Sequence, residues 1–272
     1  MIILAATPIG NLGDASSRLV EALEQAPTIA AEDTRTTVRL LAALGVANRP
    51  QMIALHDHNE KERAADLVEM ARTGDVLVLS DAGMPTVSDP GFGVVAAAAA
   101  AGIGVTVIPG PSAVVTALAV SGLPTDRFTF EGFVPRKPGE RARTLAALDA
   151  EPRTMVFFES PSRTAATLHA MVEAFGEDRR VAVCRELTKL HEQVVRGTSA
   201  EVAAWADEGV RGEVVIVVAG AERRAVRFDD AVEQVARLVA DGARLKDAAA
   251  EVADATGHSR RDLYQAVLAA RH

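Results

Sequence analysis

Three times within its first 112 residues the chain runs from a short apolar stretch straight into a loop rich in glycine and proline. The transitions are Leu4-Ala-Ala-Thr-Pro-Ile-Gly-Asn11, Val76-Leu-Val-Leu79 into Ser80-Asp-Ala-Gly-Met-Pro-Thr-Val-Ser-Asp-Pro-Gly91, and Val107-Ile-Pro-Gly-Pro-Ser112. A helical pattern follows each one. Strand-like runs recur at residues 2–6, 28–31, 52–56, 75–79 and 105–108, with amphipathic segments between them. The clearest of these segments covers 59–72, where Asn59 as N-cap and Glu62 three residues on predict a capping box. Alternating strands and helices predict an α/β fold on a parallel sheet. The loops leaving the carboxyl ends of such strands share one edge, where open α/β folds bind ligands. Turn geometry and helix capping would explain one such loop; three on one edge predict a binding site.

The composition of those loops narrows the ligand. None contains Lys or Arg, and neither G-x-x-x-x-G-K-[ST] nor a helix-opening G-x-G-x-x-G occurs, so a phosphate cradle is not expected. Asp81 and Asp89 would repel phosphates and suit hydroxyls, amino groups or a cationic cofactor. S-adenosylmethionine offers all three, through its ribose, its amino acid and its sulfonium.

Beyond Gly110 the rhythm changes. Strand-like runs at 127–133, 155–159, 181–186, 193–197 and 213–219 lie closer together, and the gap between the third and fourth is too short for a helix, which predicts a mixed sheet. Ser121-Gly-Leu-Pro124 marks the boundary. The expected organisation is an N-terminal α/β domain (1–121) with cofactor and substrate loops, a second α/β domain (122–221) completing a cleft, and a helical tail (222–272). In the tail, residues 244–253 read as one helix, Thr256-Gly257-His258 as a turn, and Ser259 as the N-cap of a last helix carrying Arg260, Arg261 and Tyr264 near its start. That pattern suits a helix-turn-helix in contact with RNA, or a helical hairpin closing a hydrophobic edge.

The 272 residues, 49% hydrophobic, suffice for two domains. A single Cys184 excludes an internal disulfide and points to a reducing cytoplasm. The N-terminus has no basic region and too short an apolar stretch for a signal peptide. The longest apolar run, residues 94–101, is far below the roughly 20 residues of a membrane helix.

A net charge of -8 argues against coating nucleic acid by bulk electrostatics. Basic residues nevertheless cluster: Arg136, Lys137, Arg141 and Arg143; Arg179 and Arg180; Arg223, Arg224 and Arg227; Arg260 and Arg261. Pro135, Pro138 and Gly139 are expected to keep the stretch from Arg136 to Arg143 out of a helix, making it the better phosphate contact. Arg35 and Arg39, one helical turn apart, could bind phosphate or pair with Glu32 and Asp33. His56-Asp-His58 has no third ligand nearby, so no metal is expected.

Eight segments occur in the order of one family. They are Thr7-Pro-Ile-Gly-Asn-Leu-Gly13, Ala31-Glu-Asp-Thr-Arg35, Ser80-Asp-Ala-Gly83 with Ser88-Asp-Pro-Gly91, Pro109-Gly-Pro-Ser112, Phe130-Glu-Gly-Phe133, Phe158-Glu-Ser-Pro161, Arg185-Glu-Leu-Thr-Lys189 with Arg196-Gly-Thr198, and Gly212-Glu213. Together they resemble the tetrapyrrole methylase superfamily, and within it the small-subunit ribosomal RNA methyltransferases. The resemblance implies a two-domain fold holding S-adenosylmethionine in the interdomain cleft, a homodimer, and 2′-O-methylation of a cytidine in the decoding centre of 16S rRNA within the 30S subunit. It assigns first-domain cofactor contacts to Pro8, Asp81, Gly83, Met84, Ser112 and Ala113; Glu159 is a further cofactor candidate, and Arg35, Arg136, Lys137, Arg163, Arg260 and Arg261 are the candidate RNA contacts. Two positions depart from the family pattern, which has Thr where this chain has Met84 and His where it has Ser162.

Methylating a ribose hydroxyl requires holding it in line with the donor methyl, and a base or charge partner for a poor nucleophile. Glu32, Asp33 and Lys189 are the leading candidates, with Glu159 and His191 also on matching segments. Two other functions fit parts of the pattern: a tetrapyrrole C-methyltransferase of the same fold, and a nucleic-acid-binding regulator that uses the tail as a reader.

Overall fold

The computed structural model describes residues 1–56, 58–221 and 227–270. Asp57 of the His-Asp-His segment and Arg223 and Arg224 of the basic clusters lie outside the described residues. The chain divides into two compact units, residues 1–220 and 221–272.

The first five strands are β1 (Ile2–Ala5), β2 (Thr28–Ala31), β3 (Gln51–Ala54), β4 (Val76–Leu79) and β5 (Val105–Ile108). They form a wholly parallel sheet in the order β3-β2-β4-β1-β5. Helices α1 (Ser17–Gln25) and α2 (Thr34–Ala43) cover one face, packing Leu19, Leu23 and Leu41 on Ala5, Ile29, Leu77 and Leu79. On the other face α3 (Glu60–Thr73) and α4 (Phe92–Ala100) bring Leu67, Val68, Val94 and Ala98 onto Ile2, Ala30, Val76 and Val78. Burial on both faces explains why β4 reads as an unbroken apolar run.

The capping box expected at the start of α3 does not form. Asn59 makes no side-chain cap bond; its amide turns back to accept from the His56 N–H at 2.9 Å and donate to the Ala54 carbonyl at 3.1 Å. The useful carboxylate is that of Glu60, which accepts from the Gly91 and Gly93 N–H groups at 2.9 and 2.7 Å. It thereby satisfies the start of α4, whose sequence offers no polar side chain for the task.

Helix α5 (Ala113–Ser121) ends in left-handed Gly122 and leads into a second sheet. This sheet comprises β6 (Phe128–Phe133), β7 (Thr154–Glu159), β8 (Arg180–Arg185), β9 (Gln193–Thr198) and β10 (Val214–Val218), in the order β6-β7-β10-β8-β9. β6 and β7 run parallel and the remaining pairs antiparallel, the mixed arrangement that the short β8–β9 gap requires. Helices α6 (Pro138–Ala147), α7 (Thr164–Phe175) and α8 (Ser199–Ala206) cover one face, and α5 the other.

The stretch from Arg136 to Arg143 is not a loop throughout. Pro138 takes the first position of α6, where a missing N–H costs nothing and the fixed φ suits a helix. Arg141 and Arg143 are therefore helical residues.

In the second unit α9 (Phe228–Ala240), α10 (Leu245–Thr256) and α11 (Arg260–Ala269) enclose a core of Ala231, Val235, Ala248, Ala249, Val252, Leu263 and Val267. Gly257 closes α10 in the left-handed conformation, and the Ser259 hydroxyl caps α11 by accepting from the Asp262 N–H. No helix among the described residues is long and apolar enough to cross a membrane.

Candidate active site

All strands of the first sheet point the same way, so the loops after β1, β2, β4 and β5 converge at one edge. Residues Thr7 and Gly83 join two of these loops by a pair of backbone hydrogen bonds, 2.9 and 3.1 Å. The Ser80 hydroxyl donates to the Gly83 carbonyl at 2.8 Å, and the buried Thr7 hydroxyl to the Ser80 carbonyl at 3.2 Å. Gly83, Thr86, Ser88 and Gly91 all take positive φ. Two of these are non-glycine residues in a conformation L side chains disfavour, the kind of strain that collects at ligand-binding loops.

The loop ends face the second sheet across an apolar cavity of about 360 Å³. Ile9, Ala82 and Ala113 contribute from the first part of the chain; Phe133, Phe158, Glu159, Cys184 and Val215 contribute from the second. A smaller chamber of about 150 Å³, lined by Gly83, Met84, Ser88, Asp89 and Ser112, adjoins it and shares Ala82, Ala113, Phe133 and Phe158. The volumes suit a small-molecule ligand, with apolar walls and few polar groups.

Of the sequence-assigned cofactor contacts, Gly83, Met84, Ser112, Ala113 and Glu159 thus line the two chambers. Pro8 and Asp81 do not, although their neighbours Ile9 and Ala82 do. Asp81 instead joins Asp33: its carboxylate accepts from the Asp33 N–H at 3.2 Å. Asp81 is exposed as a residue, yet partial desolvation of its carboxyl raises its pKa, against the opposing pull of that hydrogen bond. Asp33 lies at the other extreme. Its carboxylate receives the Arg35 Nε at 3.0 Å and Nη2 at 2.7 Å, and the Arg35 backbone N–H at 2.8 Å. Those bonds from Arg35 hold its pKa down to about 2. Of the two sequence alternatives for Arg35, pairing with a carboxylate is the one observed.

Glu159, at the end of β7, is 3% exposed. It accepts from the Ser160 N–H at 2.8 Å and the Thr167 hydroxyl at 2.7 Å, and pairs with Arg163 at 3.2 Å. The Arg163 guanidinium also donates to the Val134 and Pro135 carbonyls. It is therefore a strut between β7 and the segment after β6, not a free cation.

Lys189 lies between Glu186 and Glu213, at 3.0 and 3.1 Å. Its burial lowers the pKa and the two carboxylates raise it; the carboxylates prevail, and the ammonium stays charged. A Cβ on Gly10 would lie 2.5 Å from the Lys189 Cγ, and one on Gly212 would lie 2.4 Å from the Glu186 carboxyl. Both glycines have positive φ, so this knot admits no side chain at either.

A third chamber, about 610 Å³, is lined by Phe133, Val134, Pro135, Arg136, Ser160, Ser162 and Arg163. It shares Phe133 and Ser160 with the apolar cavity. Lys137 lies beside this segment and pairs with Glu140 at 3.1 Å. In the tail Arg260 donates to the Lys246 carbonyl at 3.3 Å, and Arg261 is exposed on the same turn of α11. No cluster of three or more His, Cys, Asp or Glu side chains suited to a metal ion occurs among the described residues.

Sequence reasoning gave no role to four residues: Phe133 and Glu186, which lie inside the matching segments, and Glu60 and Thr167, which brace the loop before α4 and the Glu159 carboxylate. For Phe133 there was also a local physical signal, because a glycine inside a strand pattern, Gly132, marks a bulge.

Comparison with known proteins agrees with this architecture. Residues 1–203 match the family described as Tetrapyrrole (Corrin/Porphyrin) Methylases, and residues 227–271 match the RsmI C-terminal HTH domain. The chain is 50% identical over 272 residues to Ribosomal RNA small subunit methyltransferase I of Mycobacterium tuberculosis (strain CDC 1551 / Oshkosh), covering 99% of this chain and 95% of that protein. It is 46% identical over 266 residues to the protein of the same name from Xylella fastidiosa (strain Temecula1 / ATCC 700964), with 96% of each covered. Among solved structures, uroporphyrin-III-C-methyltransferase from Thermus thermophilus shares the fold, with a TM-score of 0.57 at 21% identity over 80% of this chain and 93% of that one.

Proposed function

The chain belongs to the ribosomal RNA small subunit methyltransferase I family of tetrapyrrole methylases, and from that premise we propose that it transfers a methyl group from S-adenosylmethionine to the 2′-hydroxyl of a cytidine of 16S rRNA, cytidine 1402. Full-length kinship carries this reading, because body and helical tail both match in one chain. We further read 1–121 and 122–221 as the two halves of a cofactor cleft, the protein as a cytoplasmic homodimer, and the assembled 30S subunit as its substrate.

The cavity fits such a cofactor. Apolar walls from Ile9, Phe158 and Val215 exclude water, the loop at Gly83 brings backbone close, and the exposed Asp81 beside that loop is the acceptor we assign to the cofactor's hydroxyl or amino groups. The bound cofactor supplies an electrophilic methyl. The protein's part is to hold acceptor and donor in line, a contribution of several kcal/mol. Asp33, pinned near pKa 2 by Arg35, is too weak a base to take the ribose proton; it orients Asp81 through its N–H. Lys189, held charged by Glu186 and Glu213, is no base either and acts as a fixed cation at the rim. Glu32 keeps the base role open. Arg260 and Arg261 give the tail its contact with RNA phosphates.

The test is transfer of labelled methyl to 30S subunits from a strain lacking the modification, followed by digestion and nucleoside analysis. Label in 2′-O-methylcytidine is expected. Tight S-adenosylhomocysteine binding with no labelled RNA would overturn the substrate, and porphyrinogens would be tried next.

A further inference from the structure

Phe133 lines all three chambers, and its placement there depends on a fault in its strand. Side chains of a regular strand alternate faces, so Phe130 and Phe133, three residues apart, would point oppositely. The β6–β7 register instead shifts between Phe130 and Gly132, and Gly132 takes a left-handed φ of 66°. Such a bulge re-aims the side chain that follows it. Both rings consequently meet Phe158 edge-on, Phe130 at 4.9 Å and Phe133 at 5.7 Å between centroids. Phe133 nevertheless remains 58% exposed, an aromatic face left open toward the cavities.

The 610 Å³ chamber on one side of this ring is chemically unlike the donor cavity. Its lining includes Arg136, Ser160 and Ser162 and no carboxylate, although the protein as a whole carries a charge of -8. Among the described residues no ion pair or hydrogen bond engages Arg136. The adjacent backbone is fixed, because Arg163, itself anchored on buried Glu159, holds the Val134 and Pro135 carbonyls. An open aromatic face, a cation on a braced segment and two hydroxyls make a site for a planar, anionic ligand. Single nucleotides are recognised in this way, by stacking on an aromatic ring and contact with the phosphate.

We propose that the 610 Å³ chamber is the acceptor subsite, taking one unstacked nucleotide with its base on Phe133 and its phosphate at Arg136. Phe133 is then the partition between donor and acceptor, and Ser160, common to both chambers, marks the passage between them. The proposal rests on the RNA methyltransferase reading above and adds to it the place where the nucleotide sits.

The test compares full-length wild type with Phe133→Leu, Phe133→Tyr and Arg136→Gln, measuring S-adenosylhomocysteine binding by calorimetry and methyl transfer to 30S subunits. Leucine keeps an apolar wall toward the donor and removes the stacking face. Phe133→Leu is expected to lower kcat/KM for 30S roughly 10- to 100-fold with a much smaller loss of cofactor affinity, and Phe133→Tyr, which keeps the stacking face, to stay near wild type. Arg136→Gln should raise KM, leave kcat, and flatten the salt dependence by a slope of about 1. Wild-type transfer by Phe133→Leu, or a matching loss of cofactor affinity, would overturn the subsite while leaving the methyltransferase reading intact. A wild-type protein that binds cofactor but methylates no 30S would overturn both.

Discussion

The Asp33–Arg35–Asp81 cluster at the edge of the first sheet and the Glu159–Arg163–Thr167 cluster at the end of β7 each pair a carboxylate with a guanidinium, in different surroundings. Arg35 has 83% of its side chain exposed and Asp33 31%; for Arg163 and Glu159 the figures are 22% and 0%. At the edge, water competes for every charge, and the pair can be undone at little cost. At the end of β7 the carboxylate has left water entirely and depends on Arg163, Thr167 and Ser160 for its stability. The difference separates a cluster that can respond to a ligand from one that shapes the pocket.

Arg163→Met tests the buried half and has the largest expected effect. It leaves the Glu159 carboxylate without its counter-charge and the Val134 and Pro135 carbonyls without their donor. A destabilisation of about 3–5 kcal/mol is expected, read from the denaturant midpoint. A loss below about 1 kcal/mol would mean that the two clusters do not differ as described.

Asp81→Asn tests the functional half. If the Asp81 carboxylate accepts from the cofactor, its replacement should weaken S-adenosylhomocysteine binding by roughly 10- to 100-fold, as for a charged hydrogen bond. Stability should move the other way. Desolvation raises the folded-state pKa of Asp81 above its ordinary 3.8. The unfolded chain therefore gives up this proton first, and the contribution to stability, full below 3.8, is lost as pH rises through the folded value. The asparagine variant lacks that loss, so its apo form should be no less stable than wild type near neutral pH. Calorimetry with and without ligand reads both effects, and a variant that is less stable and still binds normally would make Asp81 structural.

What could be read from sequence divides along the same line. All ten strands lie within a residue or two of their expected positions, and those buried on both faces are written in their own apolar runs, as in Val76–Leu79 and Val214–Val218. Gly257 and Ser259 placed the turn of the tail, since left-handed and N-cap positions are chemically selective. Long-range partners could not be read. Nothing local says that Glu60 caps α4, with Gly91 31 residues further on, or that Arg163 binds the Val134 and Pro135 carbonyls just after β6. Asn59 shows the converse error: the capping residues were present, but the amide found better partners in its own turn. The position of Phe133 depended on a register shift, which alternation alone cannot supply.

The smallest expected effect concerns Arg35→Gln. Asp33 titrates at about 2 in place of its ordinary 3.8, first because the Arg35 side chain binds it and second because the Arg35 backbone N–H does. A lowered carboxyl contributes stability at pH values above 3.8, and that contribution is lost as pH falls toward 2. Glutamine removes the first cause and keeps the second, because the residue-35 N–H still meets the Asp33 carboxylate as the N-cap of α2. The titration of Asp33, followed by carboxyl carbon shifts in NMR, should therefore move upward and stop short of 3.8, with stability at neutral pH unchanged within error because the pair is exposed. A full return to 3.8 would show that the guanidinium alone holds the carboxylate in place. Asp33 would then have no fixed orientation of its own, and its N–H bond to Asp81 would be a consequence of the ion pair, leaving the edge cluster as dependent on its arginine as the buried one is.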